Sequence, residues 1–268
     1  MKSLSIKCII TFIRQLASGP SMRRLSKFML IILIAIFIVP VLIKTSLWAA
    51  VERPMHWRDA DWSASGVLPP AAGEQVASIR VLSARTGGYK GILSVHSWLV
   101  IRPAGAASYD RYDVVGWGRA LRKNAYPPDG RWYSNDPEIV FELKGKRAAE
   151  FIPKIEAAIG TYPWSGHGDY RIWPGPNSNT FVANVLSKVP ELGAVLPPTA
   201  VGRDFPVDGG FLARSSAGGW MVSFRGLAGV TIGMREGFQI NLLGLVAGID
   251  FSRPALLLPG LGRISLAG

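Results

Sequence analysis

Thiol chemistry is excluded first, because the only cysteine, Cys8, precedes the one long apolar run. It can close no intrachain disulfide and lend no thiolate to a domain beyond that run, and it reads as a silent thiol. Histidine is almost as scarce, with three in the chain. His96, His167 and the carboxylates show no pair at metal-ligand spacing, so neither a metal nor another cofactor is expected. No glycine-rich phosphate loop stands between a strand and a helix, and no repeat of fixed period is present. Acidic residues are missing from residues 1–27, which carry Lys2, Lys7, Arg14, Arg23, Arg24 and Lys27. The other 24 bases face 18 acids, leaving +6 of the formal +12 beyond that segment, and this mild excess argues against a nucleic-acid partner.

What is present first is hydrophobic length. Residues 28–43 are an unbroken apolar run that extends to Val51 if Lys44 snorkels, enough to span a bilayer. The basic flank predicts a cytoplasmic segment at 1–27 and a transmembrane helix at 28–51. The expected setting is a bacterial inner membrane with the bulk of the chain periplasmic. A cleaved signal is the competing reading, but Trp48 is too bulky for a cut after Ala50. Met22 also reads as a natural start, which would make 1–21 an extension.

Residues 52–75, rich in Trp, Pro and Ala, read as a tether that needs no core, with an interfacial belt at Trp48, Trp57 and Trp62. Strands are predicted at 79–83, 91–102, 109–117 and 138–143. In the second, Leu93, Val95, Leu99 and Ile101 share one face and His96, Trp98 and Val100 the other. The hairpin turn at 103–106 brings Asp113 or its neighbours opposite His96. A helix near 146–159 presents Ala148, Phe151, Ile152, Ile155 and Ile159 on one face, with Pro153 expected to kink or split it. Asn177 is a good N-cap for a helix carrying Phe181, Val182, Val185, Leu186 and Val189, stopped at Pro190. Ser178 therefore falls in its first turn. From Trp220 onward, glycine-punctuated apolar segments read as a β-meander, a Gly-rich extension at 201–268 packed on the core or the membrane.

The stretch Gly175-Pro-Asn-Ser-Asn-Thr-Phe-Val182, following a lone strand histidine, resembles the circularly permuted papain-like enzymes of the NlpC and lecithin:retinol acyltransferase type. Asn177, Phe181 and Val182 match that motif, Ser178 replaces its cysteine, and Asn179 and Thr180 depart from it. The resemblance covers about residues 90–190. It implies an α+β fold with a permuted papain-like core of antiparallel sheet and helices at 76–200. It also implies Ser178 as nucleophile, His96 as base and Asp113 as the group that orients the imidazole, with Asn177, His167 and Trp173 beside the substrate. A serine in this place needs general-base removal of its proton, since a helix terminus alone cannot ionise it.

Blander readings stand beside each of these. Asn177 and Ser178 are also what a plain helix cap contains, and His167 between two glycines is also an ordinary loop residue. Trp117, Trp132, Trp164 and Trp173 would serve a glycan or acyl cleft or simply a core. Three functions follow: a hydrolase or acyltransferase acting on an amide or ester of an envelope peptide or lipid; a module that binds such a ligand without turnover; or a scaffold whose meander docks on the bilayer or a partner.

Overall fold

The computed structural model describes residues 22–54 and 56–266. The basic stretch at 1–21 and Cys8 lie outside the described residues. Two helices come first, α1 (Met22–Phe37) and α2 (Val39–Ala49), with Pro40 in the opening turn of α2, where a missing N–H costs least. Together they form one helix, Arg24–Ala49, that is long and apolar enough to cross a membrane by length and composition.

β1 (Ser78–Arg85), β2 (Val95–Arg102), β3 (Asp110–Val114), β4 (Leu121–Lys123) and β5 (Glu138–Lys144) form an antiparallel sheet in the order β4-β3-β2-β1-β5. A single helical turn, α3 (Lys90–Leu93), precedes β2, so Leu93 lies outside the strand predicted to hold it. On one face of the sheet, Ile79, Val81, Val95, Leu99 and Ile101 meet two helices. α4 (Lys146–Gly160) contributes the five apolar residues of its predicted stripe, and α5 (Ser178–Ser187) contributes Phe181, Val182, Val185 and Leu186. Each such side chain sealed from water is worth about 1.5–3 kcal/mol. Pro153 does not split α4, which runs unbroken through it.

The other face of the same sheet is closed by chain that was expected to hang free. Leu68 is buried against Leu82, Ala84, Trp98, Val100 and Trp132, with Trp62 packed at the edge of this cluster. Asp129 holds the segment by accepting from the backbone N–H of Gly66 at 2.8 Å and of Leu68 at 3.3 Å. So the later part of residues 52–75 is a cover for the sheet, and the reading of a coreless tether is corrected. Trp48 is likewise no interfacial anchor. It is buried, with the Arg53 guanidinium 3.7 Å from its ring and Gly91 so close beneath that a Cβ there would clash.

A second antiparallel sheet follows in strict sequence order, from β6 (Leu212–Arg214), β7 (Trp220–Phe224), β8 (Ala228–Gly233) and β9 (Gly237–Leu242) to β10 (Leu245–Asp250), β11 (Ala255–Leu258) and β12 (Gly262–Ser265). This is the meander that the glycine spacing predicts, and α1 touches it at β10. The fold is mixed α+β, two antiparallel sheets with an apolar helix at the N-terminal side.

Candidate functional site

α5 starts where Asn177 turns extended, and its side chain closes a reciprocal capping box. Asn177 Oδ1 accepts from the backbone N–H of Asn179 at 3.0 Å and of Thr180 at 3.1 Å, while Thr180 Oγ1 accepts from Asn177 N–H at 3.1 Å. Asn177 Nδ2 donates to the carbonyls of Ile172 and Val201, both at 3.0 Å. The approach of Val201 is close because Gly202, at φ 94°, leaves room where any Cβ would strike the Asn177 amide. Asn177 lines the cavity described below, but both ends of its amide are committed to the cap, so nothing remains to hold a substrate.

Asn179 then fixes the first turn against the sheet, its Nδ2 donating to the carbonyls of Val95 and Val201, each at 2.9 Å. Ser178 is thereby held, buried, at the helix N-terminus, where the helix dipole favours negative charge. The Tyr170 phenol lines the same space as Ser178, and burial pushes its pKa up to about 12 against an opposing influence of the Ser178 hydroxyl.

His96 stands on the face of β2 that α5 does not cover. Val95, Leu99 and Ile101 take the helix side, and period two sends His96 to the side of Trp98 and Val100. The expectation that the His96 face packs on the nucleophile helix is corrected accordingly. Trp132 lies parallel to the imidazole at 3.7 Å between ring centres. Val100 pairs with Arg111, so Asp113, two residues on, shares this face, and His96 Nε2 lies 2.9 Å from Asp113 Oδ1. Arg111 grips the same carboxylate through Nε at 2.7 Å and Nη2 at 2.8 Å, and its guanidinium stacks 4.1 Å over Trp98.

Electrostatics set the protonation of this triad. Burial alone would raise Asp113, but the Arg111 charge and the His96 bond hold it at about 2, a carboxylate that only accepts. Burial drives His96 below its ordinary value, against the pull of Asp113, so the ring is neutral at pH 7 and donates from Nε2. Nδ1 is left as an acceptor with no hydrogen-bond partner among the described residues.

One cavity of about 710 Å³ gathers His96, Ser178, Asn179, Trp132 and Tyr170. Trp117, Trp173 and Leu243 also line it, so three of the four tryptophans singled out from the sequence reach it, while Trp164 packs at the helix-side core. Trp173 is half exposed, its indole donating to Leu243 O at 2.9 Å. The structure thus brings Ser178, His96 and Trp173 to one space, with Asp113 behind His96. No hydrogen bond joins Ser178 to His96 among the described residues. His167 is not brought in: it is exposed and pairs by an isolated bridge with Arg119. Among the described residues no group of three or more His, Cys, Asp or Glu could hold a metal ion.

Two members were missed in the sequence. Arg111 was findable, because a residue two before Asp113 on a strand must share its face. Tyr170 sits in a loop, where no periodicity betrays a partner.

The family model described as "Protein of unknown function (DUF3750)" matches residues 76–205, which hold the first sheet, α4 and α5 with all the cavity's polar side chains named above, and stop short of the second sheet. No curated protein and no solved structure matches the chain.

Proposed function

We propose that the chain is a membrane-anchored bacterial envelope protein with a permuted papain-like core, a hydrolase or acyltransferase acting on an amide or ester through Ser178. The bulk of it lies on the periplasmic side of the inner membrane, and its ligand is an envelope peptide or lipid. The observation that carries this reading is the convergence in one cavity of a hydroxyl at a helix N-terminus and an imidazole whose Nδ1 is free to accept. In the reaction, Ser178 Oγ attacks the carbonyl carbon and passes its proton to His96 Nδ1. Asp113 and Arg111 keep the imidazole in the required tautomer, and the Ser178 N–H, which the Asn177 cap leaves over, meets the oxyanion. His96 returns the proton to the departing amine or alcohol, and water or a second acceptor then takes the acyl group from Ser178.

Asn179 favours an amide-bearing ligand, because its Oδ1 is buried in the cavity wall without a partner. An unmet acceptor costs about 1–3 kcal/mol, which a ligand N–H would recover.

A second reading, a binding module without turnover, draws on the lack of a hydrogen bond between Ser178 and His96 among the described residues, where His96 is bonded to Asp113. Labelling of the purified full chain with a fluorophosphonate decides between them. The enzyme reading expects covalent labelling that disappears in Ser178→Ala and weakens in His96→Gln. Labelling that persists in Ser178→Ala removes Ser178 as nucleophile, and an unlabelled chain that still binds acyl-amide ligands supports the binding module.

A further inference from the structure

The second sheet is inside out. In β7, Met221 and Ser223 are buried while Trp220, Val222 and Phe224 are exposed; in β9, Gln239 and Asn241 are buried while Phe238 and Ile240 are exposed. Register carries the pattern across the strands. Trp220 pairs with Ile232, Ile232 with Phe238, Phe238 with Ile249, Ile249 with Leu256 and Leu256 with Ile264, and all six are exposed. Strand spacing and length give this face a footprint of roughly 500 Å² before its side chains are counted. Phe211, Met234, Leu243 and Phe251, exposed at its turns, extend it. A patch of that size on a water-facing surface is a contact site awaiting its other half.

We propose that this outer face rests on the lipid bilayer beside the membrane-crossing helix. Three observations select lipid over a protein partner. The apolar helix Arg24–Ala49 touches the sheet at β10, so the element that enters the membrane is continuous with the face. Between residues 212 and 265 the acids, Glu236 and Asp250, are buried, whereas Arg214, Arg225 and Arg253 are exposed at the edge and turns of the sheet, cationic groups suited to anionic headgroups. Trp220, with the Arg214 guanidinium 3.7 Å from its ring, forms the kind of aromatic and basic pair that settles at a membrane interface. The edge strand β6 fixes the depth, because it has no further strand beside it among the described residues, and outward backbone groups of an edge need water or headgroups and exclude insertion into the hydrocarbon centre. The sheet therefore lies flat at the boundary of headgroups and acyl chains. This placement stands whether or not Ser178 reacts.

The test uses the full chain carrying Cys8→Ser, reconstituted into vesicles of phosphatidylcholine with or without phosphatidylglycerol. An environment-sensitive fluorophore is attached to a single introduced cysteine in Val222→Cys, Ile232→Cys or Ile249→Cys on the outer face, or in Glu156→Cys on the exposed side of α4. The proposal expects quenching by nitroxide-bearing lipid and loss of iodide quenching at the three sheet positions, the reverse at position 156, and stronger lipid quenching with phosphatidylglycerol. Iodide access at the sheet positions equal to that at position 156 overturns it. Exclusion of both quenchers, with cross-linking between copies through the same cysteines, overturns it in favour of a second copy of the chain.

Discussion

In the first sheet β2 is buried at all eight of its positions, and one of its faces holds His96, Arg111 and Asp113 among aromatic rings. In the second sheet β7 and β9 alternate, and Ser223, Thr231, Gln239 and Asn241 are buried beside Met221, Val246 and Leu257 while Trp220, Val222, Phe238 and Ile240 are exposed. The two are both antiparallel and drawn from one chain. What differs is what covers them. Helices close one face of the first sheet and residues 62–75 with Trp132 the other, whereas one face of the second sheet carries a row of exposed apolar side chains among the described residues. Alternation in a sequence thus reports a period and leaves open which side is buried.

The largest expected effect breaks the contrast at the buried charges. Arg111→Ala leaves Asp113 anionic and sealed with only a neutral imidazole beside it, and removal of one partner from such a pair costs about 3–5 kcal/mol. Urea unfolding of the variant measures this. A loss below about 1 kcal/mol would mean that water reaches Asp113 and that the first sheet is less closed than described.

How much of this could be read beforehand divides along the same line. The helix carrying Ser178, its Asn177 cap, β1, β2, β5 and the meander follow from periodicity and capping residues, and the structure has them at or near their expected bounds. Contacts that join distant segments were not legible. Nothing local to Trp62 or Leu68 says that they seal the back of a sheet, and nothing in 177–189 says which face of β2 the helix will choose. His96 was expected to face α5 because the papain-like resemblance puts the base on a strand facing the nucleophile helix; the helix packs instead on the opposite face, with Val95, Leu99 and Ile101.

Next in size is a pH effect confined to the first sheet. His96 and Asp113 both have lowered values in the folded chain, so the folded state binds fewer protons than the unfolded one and stability falls as pH falls. The decline begins near 6.5, where His96 of the unfolded chain protonates. A second limb follows between 3.8 and about 2, where Asp113 contributes about 2 kcal/mol that is fully present above 3.8. Stability measured against pH should lose its upper limb in His96→Gln. A curve that rises on acidification from pH 7 to 5 would contradict the buried, neutral imidazole.

Asn177→Ala comes third. It removes the acceptor for two helix amides and two donors to Ile172 and Val201, a loss of about 1–2 kcal/mol by the behaviour of caps. Ser178→Ala next to it keeps the cap and should cost less, about 1 kcal/mol or below, while removing any fluorophosphonate labelling. Equal destabilisation by the two substitutions would make Ser178 a structural residue.

The smallest effect is expected where hydrophobic truncation is ordinarily costly. Ile232 is as apolar as Ile79, but Ile79 is sealed between sheet and helices and Ile232 is exposed on the outer face. Ile79→Ala should therefore cost about 2–5 kcal/mol through lost burial and a residual cavity. Ile232→Ala leaves no cavity in protein. In a micelle or bilayer its side chain exchanges one apolar surrounding for another, because lipid tails are as apolar as the side chain itself. Its expected cost in the detergent-solubilised full chain is below about 0.5 kcal/mol, whereas binding of the chain's outer face to vesicles, read as iodide shielding at Ile249→Cys, should weaken. A cost for Ile232→Ala that equals that of Ile79→Ala would place protein on the outer face, and the two sheets would then differ in sequence pattern but not in kind.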